Sequence, residues 1–361
     1  MKATQELHDL GQSLWLDNIT RDLLDNGTLK RYIDEFSVTG LTSNPTIFEH
    51  AISKSSSYDA EINRLVSNGL SGEELFFELG LEDLTRAADL FASVHDRTAG
   101  NDGYVSLEIS PLLAYDAGGS LAAATTLHKK ANRSNLFIKI PGTKEGNVAI
   151  EAATAAGIAI NVTFLFSQDQ YLESAGAYMR GLERRIDAGL SPDIRSVASV
   201  FVSRWDGATI DKVPEQLRDK LGIAIGKQIY KAYRDVLDSD RWQRLGNFGA
   251  RPQRLLFAST GTKDPKASDV LYISALAAPN TVNTMPEKTL LAFGDHGQLA
   301  GTLPRDGGDC EAILEDFRKT GINLDQLAAD LQANGAKSFD ESWQNLLSAI
   351  ESKGKQLKLA S

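Results

Sequence analysis

The chain has 361 residues, 42% hydrophobic and 24% charged, which is a typical composition for a globular protein with a large core. Its net charge of −10, with no basic cluster, argues against nucleic acids and anionic membranes as partners. No apolar run approaches the ~20 residues that span a bilayer, and the N-terminal residues lack the apolar core of a signal peptide. The single cysteine, Cys310, excludes an internal disulfide. We therefore expect a soluble cytoplasmic protein in which Cys310 is a packing residue.

Short β-prone segments alternate with helical segments along the whole chain. The predicted strands are residues 13–18, 38–44, 104–110, 136–140, 158–166, 197–203, 254–260 and 281–285. Helices are predicted at about 20–35, 120–132, 144–156, 167–188, 213–238 and 266–277, with Thr20, Ser120 and Ser167 as N-caps. A long helical stretch at about 46–99 has breaks near residues 69 and 71–72. The remainder, about 308–358, predicts helices interrupted at 335–338.

This alternation predicts an α/β fold with a parallel sheet and right-handed crossovers. Eight strand–helix units favour a (β/α)8 TIM barrel over an open doubly wound sheet. A barrel takes ~250 residues, and two additions account for most of the surplus. These are a helical insertion after strand 2, about 46–99, and a C-terminal helical extension, about 300–361. Since no linker-like segment or internal repeat is found, we expect residues 1–361 to form a single domain.

The fourth predicted strand contains one lysine among apolar residues. Alternation along 136–140 places Phe137 and Lys139 on one face of the strand and the other three side chains on the opposite face. Burying an ammonium is costly unless it is paired or neutral. The same environment lowers the pKa of the amine and favours its nucleophilic form. The alternative is an edge strand whose lysine points to water.

Polar residues end nearly every predicted strand, and in (β/α)8 barrels the active site lies at these C-terminal ends. The candidate site residues are Asp17, Asn44, Glu108, Lys139, Asn161, Thr163, Ser199, Arg204, Ser259, Thr260 and Lys263. Each has a structural alternative. Asp17 and Asn44 could cap helices, Glu108 could only pair with Lys139, the polar residues of strand five could lie at its edge, and 259–262 could be a turn. Convergence on one rim favours an active site.

The residue types on this rim favour Schiff-base chemistry. A lysine amine attacks a ketone, and the resulting iminium draws electrons from a neighbouring C–C bond, while carboxylates move the protons. Arg204, Lys263 and the backbone N–H groups near Gly261 would hold an anion, most simply a phosphate. Glycine-rich nucleotide motifs are missing, and the five histidines are scattered without metal-ligand or triad spacing. We therefore expect no cofactor and no metal.

Several motifs together resemble the transaldolase family over most of the chain. They are LTSNPT at 41–46, VSLEISP at 105–111, FIKIP at 137–141, INVTF at 160–164 and FVSR at 201–204, together with Asp17. The chain is similar to the longer actinobacterial and cyanobacterial branch. The resemblance implies transfer of a dihydroxyacetone unit in the non-oxidative pentose phosphate pathway. The donor would be sedoheptulose 7-phosphate or fructose 6-phosphate, and the acceptor glyceraldehyde 3-phosphate or erythrose 4-phosphate.

The resemblance also implies roles for the rim residues. Lys139 would form the Schiff base, Asp17 would be the general acid/base, and Glu108 with Thr163 would position the water that moves protons. The implied substrate-binding residues are Asn44 and Asn161 for hydroxyl groups and Ser199 and Arg204 for phosphate. After the seventh strand, much of the family has Ser and Arg, whereas this chain reads STGTK at 259–263. Ser259 and Lys263 are therefore assigned to the phosphate, with Thr260 as an equal candidate.

Two other functions stay open at this point. A class I Schiff-base aldolase would release dihydroxyacetone to water from nearly the same site, and would differ in how well it shields the enamine. A non-catalytic sugar-phosphate-binding barrel would keep Lys139 protonated in a salt bridge. Sugar phosphates are the expected partners in each case, and the sequence does not decide between a monomer and a homodimer.

Overall fold

Eight parallel strands form a closed barrel in the computed structural model, which describes residues 2–299 and 301–360. Residues 300 and 361, the predicted bounds of the C-terminal extension, lie outside the described residues. The strands are β1 Ser13–Asp17, β2 Val38–Thr42, β3 Val105–Glu108, β4 Leu136–Pro141, β5 Ile160–Leu165, β6 Ser196–Phe201, β7 Gln253–Ala258 and β8 Val282–Met285. Each strand pairs with the next, and β8 pairs with β1. The predicted (β/α)8 barrel is confirmed.

Helices follow the strands, and most of them surround the barrel. In chain order they are α1 Ala3–Asp9, α2 Arg21–Asp25, α3 Thr28–Phe36, α4 Pro45–Lys54, α5 Asp59–Ser67, α6 Gly72–Arg97, α7 Ala117–Ala131, α8 Lys144–Ala155, α9 Gln168–Asp187, α10 Ser203–Thr209, α11 Leu221–Asp238, α12 Asp240–Asn247, α13 Leu271–Ala275, α14 Glu287–His296, α15 Cys310–Lys319 and α16 Leu324–Ala360. In the described part of the chain, no helix is long and apolar enough to cross a membrane.

Local sequence signals explain where many elements begin. The strands are buried on both faces, because helices cover the outside and side chains fill the inside, so they are rich in β-branched and apolar residues. Thr20 caps α2 by accepting a hydrogen bond from the Leu23 N–H. Ser167 and Gln170 form a reciprocal capping box at the start of α9. Cys310 is buried in the main hydrophobic core, as expected.

Some predicted helices are wrong in their bounds. The helix expected at 20–35 divides into α2 and α3 at Gly27, whose φ of 76° is left-handed. The insertion contains three helices, because Ser55 and Ser57 donate hydrogen bonds to Asp22 instead of continuing α4. Helix α7 begins before residue 120, with Asp116 as its N-cap. Helices α1, α10, α12 and α14 were not predicted, and α11 begins at Leu221 rather than near residue 213.

The expected break at 335–338 is also wrong, because α16 runs through it without interruption. A Cβ atom on Gly335 would lie only 3.0 Å from the ring of Phe164 and 3.3 Å from Arg204 Nη1. Glycine is therefore present here because the helix approaches the barrel closely, at some cost in helix propensity.

Helix α16 crosses the C-terminal ends of the strands and packs against the insertion. Gln332 donates hydrogen bonds to the backbone carbonyls of Gly142 and Phe164, at the ends of β4 and β5. Further along, the Trp343 ring packs edge-on against Phe76 of α6, with centroids 4.9 Å apart. These contacts support the proposal that barrel, insertion and extension form one domain.

The insertion is joined to the barrel by a buried ion pair. Arg21 Nε lies 3.0 Å from Asp83 Oδ1, with side chains 8% and 0% exposed. The Tyr58 hydroxyl donates to the other carboxylate oxygen at 2.7 Å, and Glu82 lies 2.9 Å from Arg21 Nη2. This cluster connects α2 with the insertion helices α5 and α6.

Replacing Asp83 by alanine is therefore expected to destabilise the protein by about 3 kcal/mol, near the lower end for breaking a buried ion pair, because Glu82 still contacts Arg21. Urea unfolding measures this change. Asp25→Ala is the matched control, since it removes an exposed pair with Arg86 and should cost less than about 1 kcal/mol. Equal losses in the two variants would contradict a structural role for the buried cluster.

Candidate active site

The C-terminal ends of the strands surround an inner cavity of about 90 Å³. Its lining consists of Asp17, Thr42, Asn44, Lys139, Thr163, Ser199, Phe201, Arg204, Ala258, Ser259, Thr284 and Phe339. Most of the residues predicted from the sequence are in this set. Glu108, Asn161, Thr260 and Lys263 are outside the lining but lie on or directly after the strands that form it. The predicted rim is thus one physical site.

Lys139 points into the barrel and is buried together with Glu108. The two residues are paired in the register of β3 and β4, and their side chains are 7% and 3% exposed. Lys139 Nζ donates hydrogen bonds to Glu108 Oε2 at 2.8 Å and to the Ser43 carbonyl oxygen at 2.9 Å. An edge strand with an exposed lysine is excluded, because β4 lies within a closed barrel. Glu108 does pair with Lys139, as its structural alternative predicted.

Glu108 keeps one carboxylate oxygen unused. Burial raises the pKa of Glu108 above its ordinary value, and the adjacent Lys139 ammonium acts in the opposite direction. Among the described residues, neither Glu108 Oε1 nor Thr163 Oγ1 has a hydrogen-bond partner, although both are buried. Buried polar atoms are usually satisfied by protein or ordered water. Their strands, β3 and β5, flank the strand that carries Lys139.

Asp17 ends β1 on the same rim. Its Oδ1 accepts a hydrogen bond from Thr42 Oγ1 at 2.8 Å. Burial raises the pKa of Asp17, while Lys139, the Thr42 hydroxyl and Lys263 act to lower it. A carboxyl group with a raised pKa exchanges protons closer to neutral pH than an exposed aspartate does. Asp17 does not cap the following helix, since Thr20 occupies that position.

Arg204 lies at the start of α10, directly after β6, and is half-buried. Its guanidinium carbon lies 5.2 Å from the ring centroid of Phe201 and 5.9 Å from that of Phe339. Within the described residues, the guanidinium forms no hydrogen bond and no ion pair. Lys263 is exposed nearby, and both desolvation and the charge of Arg204 lower the pKa of its ammonium group. Arg204 lines the cavity and is available to an anion there, whereas Lys263 lies outside the lining.

Two candidate phosphate-binding residues in the segment after β7, Ser259 and Thr260, have different environments. Ser259 has a left-handed backbone with φ 54°, lines the inner cavity, and its hydroxyl lies 2.9 Å from that of Ser203. Thr260 is fully buried and donates its hydroxyl to the Thr284 carbonyl oxygen at 2.8 Å. The Thr260 hydroxyl is thus used to connect β7 and β8, whereas Ser259 borders the open space.

Other polar candidates are connected by hydrogen bonds inside the barrel. Ser199 donates to Asn161 Oδ1 at 2.7 Å, and Asn161 donates to Ser106 Oγ at 3.1 Å. Asn44 both lines the cavity and caps α4 by accepting from the Ile47 N–H at 3.0 Å. The helix-cap alternative for Asn44 is therefore correct, and the residue lines the site as well.

Five lining residues were not predicted from the sequence: Thr42, Phe201, Ala258, Thr284 and Phe339. Thr42 and Phe201 lie inside the quoted motifs, so their position at a strand end was a usable signal. Phe339 had none, because it lies on α16 and reaches the site only through packing. A wider vestibule of about 550 Å³ opens outside the inner cavity, and the two share Asn44, Arg204 and Phe339.

A buried lysine beside two carboxylates at the mouth of a (β/α)8 barrel defines a class of enzymes that act through a lysine Schiff base. No cluster of three or more potential metal ligands occurs in the portion of the chain that the structure describes. The family model described as transaldolase/fructose-6-phosphate aldolase matches residues 14–350.

Individual relatives match nearly end to end. A transaldolase of Arthrobacter sp. (strain FB24) is 44% identical, with 96% of each chain covered. One of Thiobacillus denitrificans is 42% identical, with 97% of this chain and all of the relative covered. One of Mycolicibacterium smegmatis is 42% identical over 94% of each chain. The chain belongs to the transaldolase/fructose-6-phosphate aldolase family.

Replacing Thr42 by valine should raise the pKa of Asp17, because it removes a hydrogen bond that stabilises the carboxylate. A hydrogen bond to a charged group corresponds to an increase of about one pH unit. Carbon NMR titration of labelled aspartate carboxyls measures it, with Asp17→Asn to assign the signal.

Thr39→Val is the matched control on the same strand, since the Thr39 hydroxyl is directed at the Leu14 carbonyl oxygen. This variant should leave the Asp17 titration unchanged. An unchanged or lowered pKa in Thr42→Val would contradict the role given to the Thr42 hydroxyl.

Proposed function

We propose that the protein is a transaldolase that transfers a dihydroxyacetone unit between sugar phosphates through a Schiff base on Lys139. The donor is sedoheptulose 7-phosphate or fructose 6-phosphate, and the acceptor is glyceraldehyde 3-phosphate or erythrose 4-phosphate. The observation that carries this proposal is the buried Lys139 amine beside Glu108, on the same rim as Asp17. The near full-length relatives named transaldolase support the same reaction.

Schiff-base formation needs a nucleophilic amine and a proton shuttle. Lys139 Nζ, after losing a proton to Glu108, attacks the ketone carbon of the donor and forms a carbinolamine. The raised pKa of Glu108 favours this transfer and lets the carboxyl return the proton to the departing hydroxyl, which leaves as water. A water between the unpartnered Glu108 Oε1 and Thr163 Oγ1 would complete the shuttle.

Bond cleavage then requires a base near the hydroxyl next to the breaking bond. The Asp17 carboxylate takes the proton of that hydroxyl, the C–C bond breaks, and its electrons move to the iminium to give an enamine. The first aldose leaves. The enamine attacks the acceptor aldehyde, the Asp17 carboxyl protonates the new alkoxide, and hydrolysis of the imine frees Lys139.

Substrate binding is divided between the two spaces of the site. The inner cavity of about 90 Å³ suits the three-carbon unit, and the vestibule of about 550 Å³ suits the rest of the sugar. Arg204 borders both and would bind the phosphate. The other proposed contacts are Asn44 and Asn161 with hydroxyl groups, and Ser199, Ser259 and Lys263 with phosphate. Thr260 is the weaker candidate, because its hydroxyl is already used.

Sugar phosphates are therefore the small-molecule partners of this chain. One chain supplies every side chain of the proposed site, which is compatible with a monomer or a homodimer. Location in the cytoplasm stays a prediction from the sequence.

A class I aldolase is the second candidate, because the family description includes fructose-6-phosphate aldolase. The two reactions differ in whether the enamine is protonated, which releases dihydroxyacetone, or meets an aldehyde first. Phe339 on α16 borders the inner cavity and limits access of water to it, which favours transfer. A non-catalytic binding barrel has little support, since the near full-length relatives are enzymes by name.

Borohydride reduction in the presence of fructose 6-phosphate is expected to leave a three-carbon adduct on Lys139, measured by intact and peptide mass. Lys139→Met should lose the adduct, while Lys144→Met, at an exposed lysine after the same strand, should keep it. Adding erythrose 4-phosphate should accelerate donor consumption if the enzyme transfers. No adduct on folded wild-type protein would overturn the Schiff base, and no acceleration would favour the aldolase.

Asp17→Asn should still form the Schiff base, which borohydride should trap as the uncleaved six-carbon sugar phosphate on Lys139, but turnover should slow by ~10²–10⁴, the range for a general acid/base. Because burial raises the pKa of Asp17, the acid-side fall of kcat/KM in the wild type should occur above the pH at which exposed aspartates titrate. Asp34→Asn, on the outer helix α3, is the control and should leave turnover unchanged. Normal turnover of Asp17→Asn would exclude Asp17 from the mechanism.

A further inference from the structure

Among the described residues, the Arg204 guanidinium has no hydrogen-bond or ion-pair partner, and the rings of Phe201 and Phe339 lie beside it. Phe201 precedes it closely in the chain, whereas Phe339 comes from α16, far away in the sequence. We propose that Phe339 is a positioning residue that orients Arg204 towards the phosphate of the substrate. The C-terminal helix would then determine the affinity for phosphorylated donors. This inference rests on the proposed function, and it adds a specificity-determining residue to it.

Stacking holds an arginine without using its hydrogen-bond donors. A carboxylate partner would also fix the guanidinium, but it would occupy N–H groups and offset the positive charge that a phosphate needs. The face of an aromatic ring attracts the cation and leaves the five N–H donors at its edge free. Among the described residues, these donors have no other partner. Such an arrangement suits an anion that binds and leaves in each catalytic cycle.

Phe339 is itself fixed by the barrel. Its ring packs edge-on against Phe164, with centroids 4.7 Å apart, and Phe164 packs in the same way against Phe201 at 5.5 Å. The left-handed φ of 61° at Phe164 is unusual for a bulky residue. It lies at the end of β5, where the register with β6 shifts. Three rings and the guanidinium therefore form one packed group at the rim.

Two residues of α16 fix its position close to Arg204. Gly335, one turn before Phe339, leaves room for Arg204 Nη1, which would lie 3.3 Å from a Cβ atom at that position. Gln332 anchors the preceding turn to the backbone of Gly142 and Phe164. These contacts fix the distance between α16 and the ends of the strands. At that distance, Phe339 is the α16 side chain whose ring faces the guanidinium.

The test compares a phosphorylated and an unphosphorylated donor. In Phe339→Leu, which keeps apolar volume but removes the ring face, KM for fructose 6-phosphate should rise about five- to twenty-fold, within the range expected for a partly desolvated cation–π contact. The kcat should stay within about twofold, and KM for fructose should not change. Inorganic phosphate, as a competitive inhibitor, should weaken by the same factor. Phe339→Tyr should restore both values.

Phe248→Leu is the matched control, because Phe248 is an exposed phenylalanine directly after α12 that lines neither the inner cavity nor the vestibule. It should not separate the two donors. A second variant, Gly335→Ala, pushes the helix away from Arg204 by a few tenths of an ångström and should raise KM for fructose 6-phosphate more modestly.

Three outcomes would overturn the inference. These are equal increases in KM for both donors in Phe339→Leu, the same donor-specific increase in Phe248→Leu, or, if Phe339→Leu does not fold, an unchanged KM in Gly335→Ala. Wild-type protein that fails to transfer at all would instead overturn the proposed function. A wild type that transfers normally, with no donor-specific change in the variants, would leave that function intact.

Discussion

Lys139 and Glu108 are opposite charges buried on adjacent strands, 2.8 Å apart. Removing either ion from water costs several kcal/mol, and their attraction offsets this only when the geometry is good. A closed barrel supplies that geometry, because the register of β3 and β4 places the two residues directly opposite each other. The same burial raises the pKa of Glu108. The pair is thus costly for folding and poised for proton transfer, which is the common basis of the site and of the chemistry proposed for it.

The other parts of the structure limit the exposure of this pair to solvent, since the Lys139 and Glu108 side chains are only 7% and 3% exposed. The insertion and α16 cover the rim, and α16 is attached both to the barrel by Gln332 and to the insertion by Trp343. The inner cavity that remains is small, and the larger vestibule lies outside it. Burial strengthens every electrostatic contact with the lysine. Coverage by distant segments therefore contributes to the reactivity of residues that lie on strands.

Much of the fold and site could be predicted because the signals are local. Each of these signals depends only on residues that are close together in the sequence, as for the strand alternation, the polar residues at strand ends and the Asn44 cap. Lys139 is recognisable because it is a charged residue within an apolar run. Contacts made across the chain are not visible in this way. Helix propensity predicts a break at Gly335, because it cannot show that Phe164 and Arg204 lie against this residue. Phe339 was missed for the same reason.

Transfer and release differ only in whether an acceptor aldehyde or water reaches the enamine first. Phe339, which borders the cavity, would affect both access of water and binding of the phosphorylated acceptor. Phe339 lines the same inner cavity as Lys139, and its ring centroid also lies 5.9 Å from the guanidinium carbon of Arg204. Under the proposed function, one residue would exclude water and orient the group that binds phosphate. A phosphorylated acceptor would then be drawn to the place from which water is kept out. This coupling gives a physical reason for a C-terminal helix that crosses the barrel mouth instead of ending outside it.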